Sequence, residues 1–251
     1  MAIALVTGTS SGIGLATAVA LARAGHTVAA TLRNLDGGAE IRRVAEEEKL
    51  PIHLVALDVD DDASVREAFD RVVAQLGPID VLVNNAGVPG GGPVEETTLD
   101  QFRQVMETNF FGGLRCIKAV IPSMRERRKG TIVNITSIAG RLASAPMASY
   151  AASKWAFEAL SECLAQEVRA FNVRVAIVGA RSSSPRRSSP KRLHRQRTVS
   201  TRTGGGFAPC SPPRSPNPFH PPWSATSFGT LSTATSATSK RFPPFGFWKM
   251  S

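Results

Sequence analysis

Apolar residues along the first 178 positions fall into two alternating patterns. Short runs, nearly continuous in apolar and often β-branched residues, occupy 2–7, 27–32, 52–57, 81–84, 131–135 and 173–178. Runs of this kind predict strands covered on both faces, since a half-exposed strand would alternate apolar and polar residues. Between them, apolar residues recur every three or four positions, predicting helices near 12–24, 39–49, 62–76, 99–127 and 148–171. Thr98 with Gln101 has the form of a capping box for the fourth helix, and Arg125-Glu126-Arg127-Arg128-Lys129 is placed at its end, where cations complement the dipole. Strands alternating with helices predict an α/β protein with a doubly wound parallel sheet.

The pattern stops near residue 178. Residues 179–251 hold 11 of the 17 prolines, 14 serines, 8 threonines, no Ile, and only Leu193, Val199, Leu231 and Met250 from the Val/Ile/Leu/Met set. Such a segment cannot bury enough apolar surface to offset its ordering entropy, so a disordered low-complexity tail is expected after a globular body at 1–178. Charge divides at the same place. The net +10 of the 251 residues separates into 18 Lys and Arg against 20 acids in the body, all between Asp36 and Glu167, and 12 cations with no acid in the tail. The basicity therefore says nothing about the body's ligand. It would suit phosphates, but no ordered nucleic-acid-binding module accompanies it, and nucleic-acid binding is the weaker reading.

Cysteines at 116, 163 and 210 give neither a disulfide framework nor zinc-site spacing, which points to a reducing compartment and no metal. Cys116 and Cys163 are expected in the core, and His26 and His53 at surface or edge positions. The chain lacks a basic signal-like start and any apolar run of about 18 residues, so the expectation is a cytoplasmic protein that does not span a membrane.

Candidate chemistry gathers at the carboxyl ends of the predicted strands. The first strand runs into Thr7-Gly8-Thr9-Ser10-Ser11-Gly12-Ile13-Gly14 and then a helix. Glycines there allow a tight turn and close approach to a pyrophosphate, favoured by the N–H groups at the helix N-terminus. Asn84-Asn85-Ala86-Gly87 follows the fourth strand, and Ser137 ends the fifth. Taken singly, each of these also fits a plain turn. Tyr150, the single tyrosine, and Lys154 lie four apart on a predicted helix and so share a face. A phenol has a pKa of about 10, and a neighbouring ammonium favours its anion, so such a tyrosine can pass a proton to or from an alcohol oxygen.

Taken together, the turn at 7–14, Asp58 after the third strand, Asn-Asn-Ala-Gly at 84–87, Asn109 in Thr-Asn-Phe-Phe-Gly, and Ser137 ahead of Tyr150-x-x-x-Lys154 resemble the short-chain dehydrogenase/reductase family over residues 1 to about 178. The resemblance implies a Rossmann-type fold for that doubly wound parallel sheet, and hydride transfer between NAD(P) and a small-molecule alcohol or carbonyl. It implies that Tyr150 is the proton donor or acceptor, that Ser137 bonds the substrate oxygen, and that Lys154 lowers the tyrosine's pKa and holds the nicotinamide ribose. Asn109 would position a water for proton relay. Gly8, Ser10, Ser11, Gly12, Ile13 and Gly14 would cradle the pyrophosphate, Asp58 and Val59 would meet the adenine, and Asn85, Ala86 and Gly87 the adenosine ribose side. The second strand ends in Leu32-Arg33 where an NAD site wants a carboxylate, so NADP(H) is preferred, with NAD(H) kept open by Asp36. Relatives associate through helices corresponding to 99–127 and 148–171, which makes a homo-oligomer compatible with the sequence.

After the sixth strand the resemblance ends abruptly. Val178-Gly179-Ala180-Arg181-Ser182-Ser183-Ser184-Pro185 stands where relatives continue into a substrate-covering segment, a further helix and a seventh strand. One account of such a break is a shift of reading frame, because TCN serine codons read one base out of register become codons for Ile, Val, Leu or Phe; the other is a genuine tail segment. The expectation is a fold lacking its last helix and strand, with catalytic residues present and turnover impaired; the alternative is a nucleotide-binding protein without catalysis.

Overall fold

The computed structural model describes residues 1–180. Its elements run β1 (Ile3–Thr7), α1 (Gly12–Arg23), β2 (Thr27–Leu32), α2 (Ala39–Glu47), β3 (Ile52–Ala56), α3 (Asp62–Leu76), β4 (Val81–Asn84), α4 (Leu99–Met106), α5 (Gly113–Glu126), β5 (Gly130–Ser137), α6 (Ala148–Val168) and β6 (Val173–Ala180). The six strands form one parallel sheet in the order β3-β2-β1-β4-β5-β6, the doubly wound architecture expected. The order reverses between β1 and β4, the place where open α/β sheets bind ligands. Every expected strand is present within two residues of its predicted ends. The expected tail lies outside the described residues, apart from Gly179 and Ala180, which extend β6.

Successive residues of each inner strand enter opposite cores. Ala4, Val6, Val28 and Ala30 pack with Ala18 and Ala22 of α1 and Ile41 of α2. Leu5, Ala29, Leu82 and Ile132 face the other side, against Val65, Phe69 and Val72 of α3, Ile117 and Val120 of α5, and Phe157 and Leu164 of α6. Burying one such side chain contributes roughly 1.5–3 kcal/mol, so these two layers hold the fold. Among the described residues, no helix is long and apolar enough to cross a membrane.

Three expectations need correction. The single helix expected over 99–127 is two, α4 and α5, joined by a π-helical segment at Glu107–Gly112. Its wider turn lets the adjacent Thr108 and Asn109 reach partners on different loops. Gly112 ends it and Gly113 begins α5, where a Cβ would stand 2.7 Å from Val59 Cγ2 and 2.6 Å from Phe157 Cζ respectively. Cys163, expected in the core, is exposed, because α6 buries Ser153, Phe157, Ser161 and Leu164 and position 163 falls on the opposite side. Cys116 is buried as expected, and burial pushes its thiol up to about 12. The cationic run does more than end α5. Asp80, at the start of β4, accepts from Arg127 at 2.8 Å and Lys129 at 3.1 Å and from Ile3 N, tying α5 to the amino end of the sheet.

Candidate active site

The turn after β1 is fixed by contacts across the switch point. Gly8 and Gly12 have φ of +70° and +61°, which L side chains rarely adopt. A Cβ on Gly14 would stand 2.2 Å from Gly8 O and 2.4 Å from Asn85 Nδ2, so the helix and the loop after β4 touch only because this residue has no side chain. Thr7 Oγ1 accepts from Asn85 N and Ala86 N, both at 2.9 Å, and Asn85 Nδ2 donates to Thr7 O and Gly8 O at 2.8 and 2.9 Å. Ser11, the N-cap of α1, makes no side-chain cap bond, leaving the first N–H groups of that helix for a ligand.

These elements frame a groove of about 360 Å³. Of the residues expected to meet the dinucleotide, Gly8, Ser10, Ser11, Ile13, Arg33, Asp58, Val59, Asn85, Ala86 and Gly87 line it. Gly12 and Gly14 lie in the first turn of α1 beneath Ile13, and Asp36 is not among the lining residues. Sequence reasoning missed Leu57, Asp60, Val88 and Thr108, which complete the wall. Asp60 Oδ2 accepts from Thr108 Oγ1 at 2.8 Å and Asp60 N donates to Asp58 Oδ1 at 3.1 Å, so the π-helical segment holds the far end of the groove. The fit to a dinucleotide is sound: a backbone cradle that a Cβ would fill, an uncapped helix N-terminus, and carboxylates kept to the opposite end.

A second cluster joins the groove at Gly87. A Cβ there would lie 3.0 Å from Asn109 Oδ1 and 3.5 Å from Lys154 Nζ, so the glycine lets loop and helix meet. Lys154 is buried, donates to Ile135 O at 3.2 Å and lies 5.8 Å from the centroid of the Tyr150 ring. Burial pushes its ammonium down to about 8. Ser137, two residues beyond Ile135, is nearly buried, and its Oγ accepts from Ala139 N at 3.2 Å. Asn109 Oδ1 accepts from Val88 N at 2.7 Å, while Nδ2 donates to Val88 O at 3.0 Å and Ser153 Oγ at 3.1 Å. Both of its amide protons are thus taken by protein, so a water held by Asn109 must find an acceptor there.

Two buried networks fix α6 against β5. Asn84 donates to Asn134 at 2.9 Å, Asn134 to Ser161 at 2.8 Å and Ser161 to Phe157 O at 2.6 Å, crossing β4, β5 and α6. Glu158 takes Thr136 Oγ1 at 2.9 Å and Arg141 Nε at 2.6 Å, bracketing Ser137 on both sides. Residues 150, 154 and 158 therefore run as one stripe of α6 along the end of β5.

The short chain dehydrogenase family model matches residues 2–184. The 3-ketodihydrosphingosine reductase of Bacteroides thetaiotaomicron is 40% identical over 176 residues, covering 70% of this chain and 62% of that protein. Retinol dehydrogenase 8 of Bos taurus is 43% identical over 178 residues, covering 69% and 56%. The solved alcohol dehydrogenase of the archaeon Thermococcus sibiricus, complexed with 5-hydroxy-NADP, superposes with a TM-score of 0.68 at 31% identity, covering 72% of this chain and 77% of that one. The chain spans about three-fifths of the length of the curated relatives it matches.

Proposed function

Because the chain belongs to the short-chain dehydrogenase family, we propose that it is an oxidoreductase of an alcohol/carbonyl pair that uses NADP(H) in preference to NAD(H). When bound, the dinucleotide supplies or takes the hydride. The chain's own residues position the reactants and move the proton. Tyr150 is the proton donor or acceptor to the substrate oxygen, and Ser137 donates a hydrogen bond to that oxygen. The Lys154 ammonium, one turn along α6 from Tyr150 and 5.8 Å from its ring centroid, reaches toward the nicotinamide ribose. Asn109, with its amide protons engaged, would offer a relay water an oxygen.

The observation that carries this reading is the stripe of α6 that sets Tyr150 and Lys154 against the end of β5 and beside Gly87 of the groove. Preference for NADP(H) is supported by Leu32 and Arg33 on the groove wall, where no carboxylate of β2 stands to accept from a ribose 2′-hydroxyl. One curated relative is named as a reductase of a keto compound and another as a retinol dehydrogenase, which supports the alcohol/carbonyl class. Exposed Leu99, Phe111 and Trp155 on the helices of 99–127 and 148–171 support self-association.

Titration of the full chain with NADPH and NADH, followed by nicotinamide fluorescence and thermal melting, tests the proposal. Saturable NADPH binding with a raised melting temperature is expected, with Arg33→Ser narrowing the margin over NADH; absence of binding to either sinks it. The second reading, a nucleotide-binding protein without turnover, is favoured by the family match covering residues 2–184 and not the residues after them. NADPH binding without turnover of any carbonyl would select it.

A further inference from the structure

Beyond Ser137 the chain makes a single 3₁₀ turn, Ile138–Gly140, and Leu142 N then bonds to Ile138 O at 2.9 Å. Ile138 and Leu142 thus sit one turn apart, and their side chains are solvent-exposed, at 45% and 64%, while Ala139 and Gly140 between them are buried. The loop after β4 closes against the same segment: Gly92 N donates to Pro146 O at 2.8 Å, and a Cβ on Gly90 would lie 3.2 Å from Tyr150 N. Two residues past Gly92, Val94 is 66% exposed. Neither loop offers a free cation. Arg141 is the sole charged residue in 88–94 and 138–147, and Glu158 holds it at 2.6 Å.

Single exposed apolar residues need no explanation, but Ile138 and Leu142 lie one turn apart in the segment that directly follows Ser137, where a group bound at Ser137 would meet them. Resting on the reading above, we propose that the substrate is an alcohol or ketone with an extended, uncharged aliphatic tail, laid outward from Ser137 over Ile138 and Leu142. Water released from these side chains and from the tail drives the contact, and affinity grows with each methylene covered. A substrate bearing a distal carboxylate or phosphate would meet Arg141 already neutralised and would lose hydration without a partner.

Straight-chain primary alcohols from butanol to decanol provide the probe. With NADPH bound, an alcohol cannot accept hydride, so binding is read without turnover, from the fluorescence of the bound nicotinamide and from melting temperature. Affinity is expected to rise about three- to fourfold per methylene. Ile138→Ser and Leu142→Ser each lower that slope and together flatten it, while Leu99→Ser, an equally exposed apolar position on α4, leaves it unchanged. Omega-hydroxy acids of the same lengths bind no more tightly than butanol. A flat series, a slope indifferent to the double substitution, or tighter binding of the acids overturns the proposal. Failure of the underlying cofactor reading shows separately, as absence of NADPH saturation. In that case the alcohol series on the protein alone, read by melting temperature, decides the matter on the same slopes.

Discussion

The two sides of the sheet are finished differently. In β2 every residue after Thr27 is buried, with α1 and α2 on one face and the α3 layer on the other. In β6 alternate residues turn outward: Arg174, Ala176 and Val178 are exposed on the face that α1 and α2 cover elsewhere, while Val173 and Val175 pack toward α6. The glycine turn, the groove and their supporting bonds belong to the closed side, and the exposed Ile138 and Leu142 follow β5 on the open one. On the proposed reading, nucleotide binding and substrate handling are therefore separable, and substitutions should affect them to very different degrees.

The largest expected effect lies on the closed side. Gly14→Val places a side chain into Gly8 O and Asn85 Nδ2, and should cost on the order of 3 kcal/mol in stability and abolish NADPH fluorescence enhancement. Retained binding would mean that α1 can move away from the loop after β4. Next in size is Tyr150→Phe, which removes the proposed proton carrier and should lower turnover by roughly 10²–10⁴ while NADPH affinity changes less than about twofold. A parallel loss of affinity would show that the tyrosine acts in binding.

Lys154→Met should do the opposite of an ordinary core substitution. Burial holds the ammonium's folded pKa at about 8, well below the ordinary lysine value, so its cost to folding is fully present below about pH 8 and is relieved as pH rises toward the unfolded value. The variant should be more stable than the parent at pH 7, by on the order of 1–3 kcal/mol, with the gain shrinking at higher pH and NADPH binding weakened. Melting curves at several pH values check the sign. Smallest is the contrast between strands: Val28→Thr, fully buried, should cost about 1–3 kcal/mol, while Val178→Thr should stay within about 0.5 kcal/mol. Equal costs would show that β6 is covered in solution.

Most of this arrangement could be read from the chain because local signals and tertiary demands agree. The strands at 27–32 and 81–84 match to the residue, the capping box at Thr98 and Gln101 forms, and the glycine turn and the Tyr150–Lys154 pair stand where their spacing put them. The π-helical segment was hidden, since apolar periodicity runs straight through 99–127 and the widening answers to distant partners, Asp60, Val88 and Ser153. Asp60 and Thr108 were hidden with it. The side of Cys163 was illegible for another reason: α6 buries Ser149, Ser153, Lys154, Glu158 and Ser161 alongside its apolar residues, so hydrophobicity does not mark its inner face.

The bonds of Thr7 have a consequence for the order of events during folding. Its hydroxyl and carbonyl meet Asn85 and Ala86 across 78 and 79 residues, so the loop-closure entropy of β1, α1, β2, α2, β3 and α3 is spent before the turn at 7–14 acquires its second wall. A chain released from synthesis only as far as β3 carries every glycine of the turn and still lacks the second wall of the groove. On the proposed reading, nucleotide binding to a growing or refolding chain would thus report the arrival of β4 beside β1, and a nucleotide present at that moment would act as a latch on the centre of the sheet.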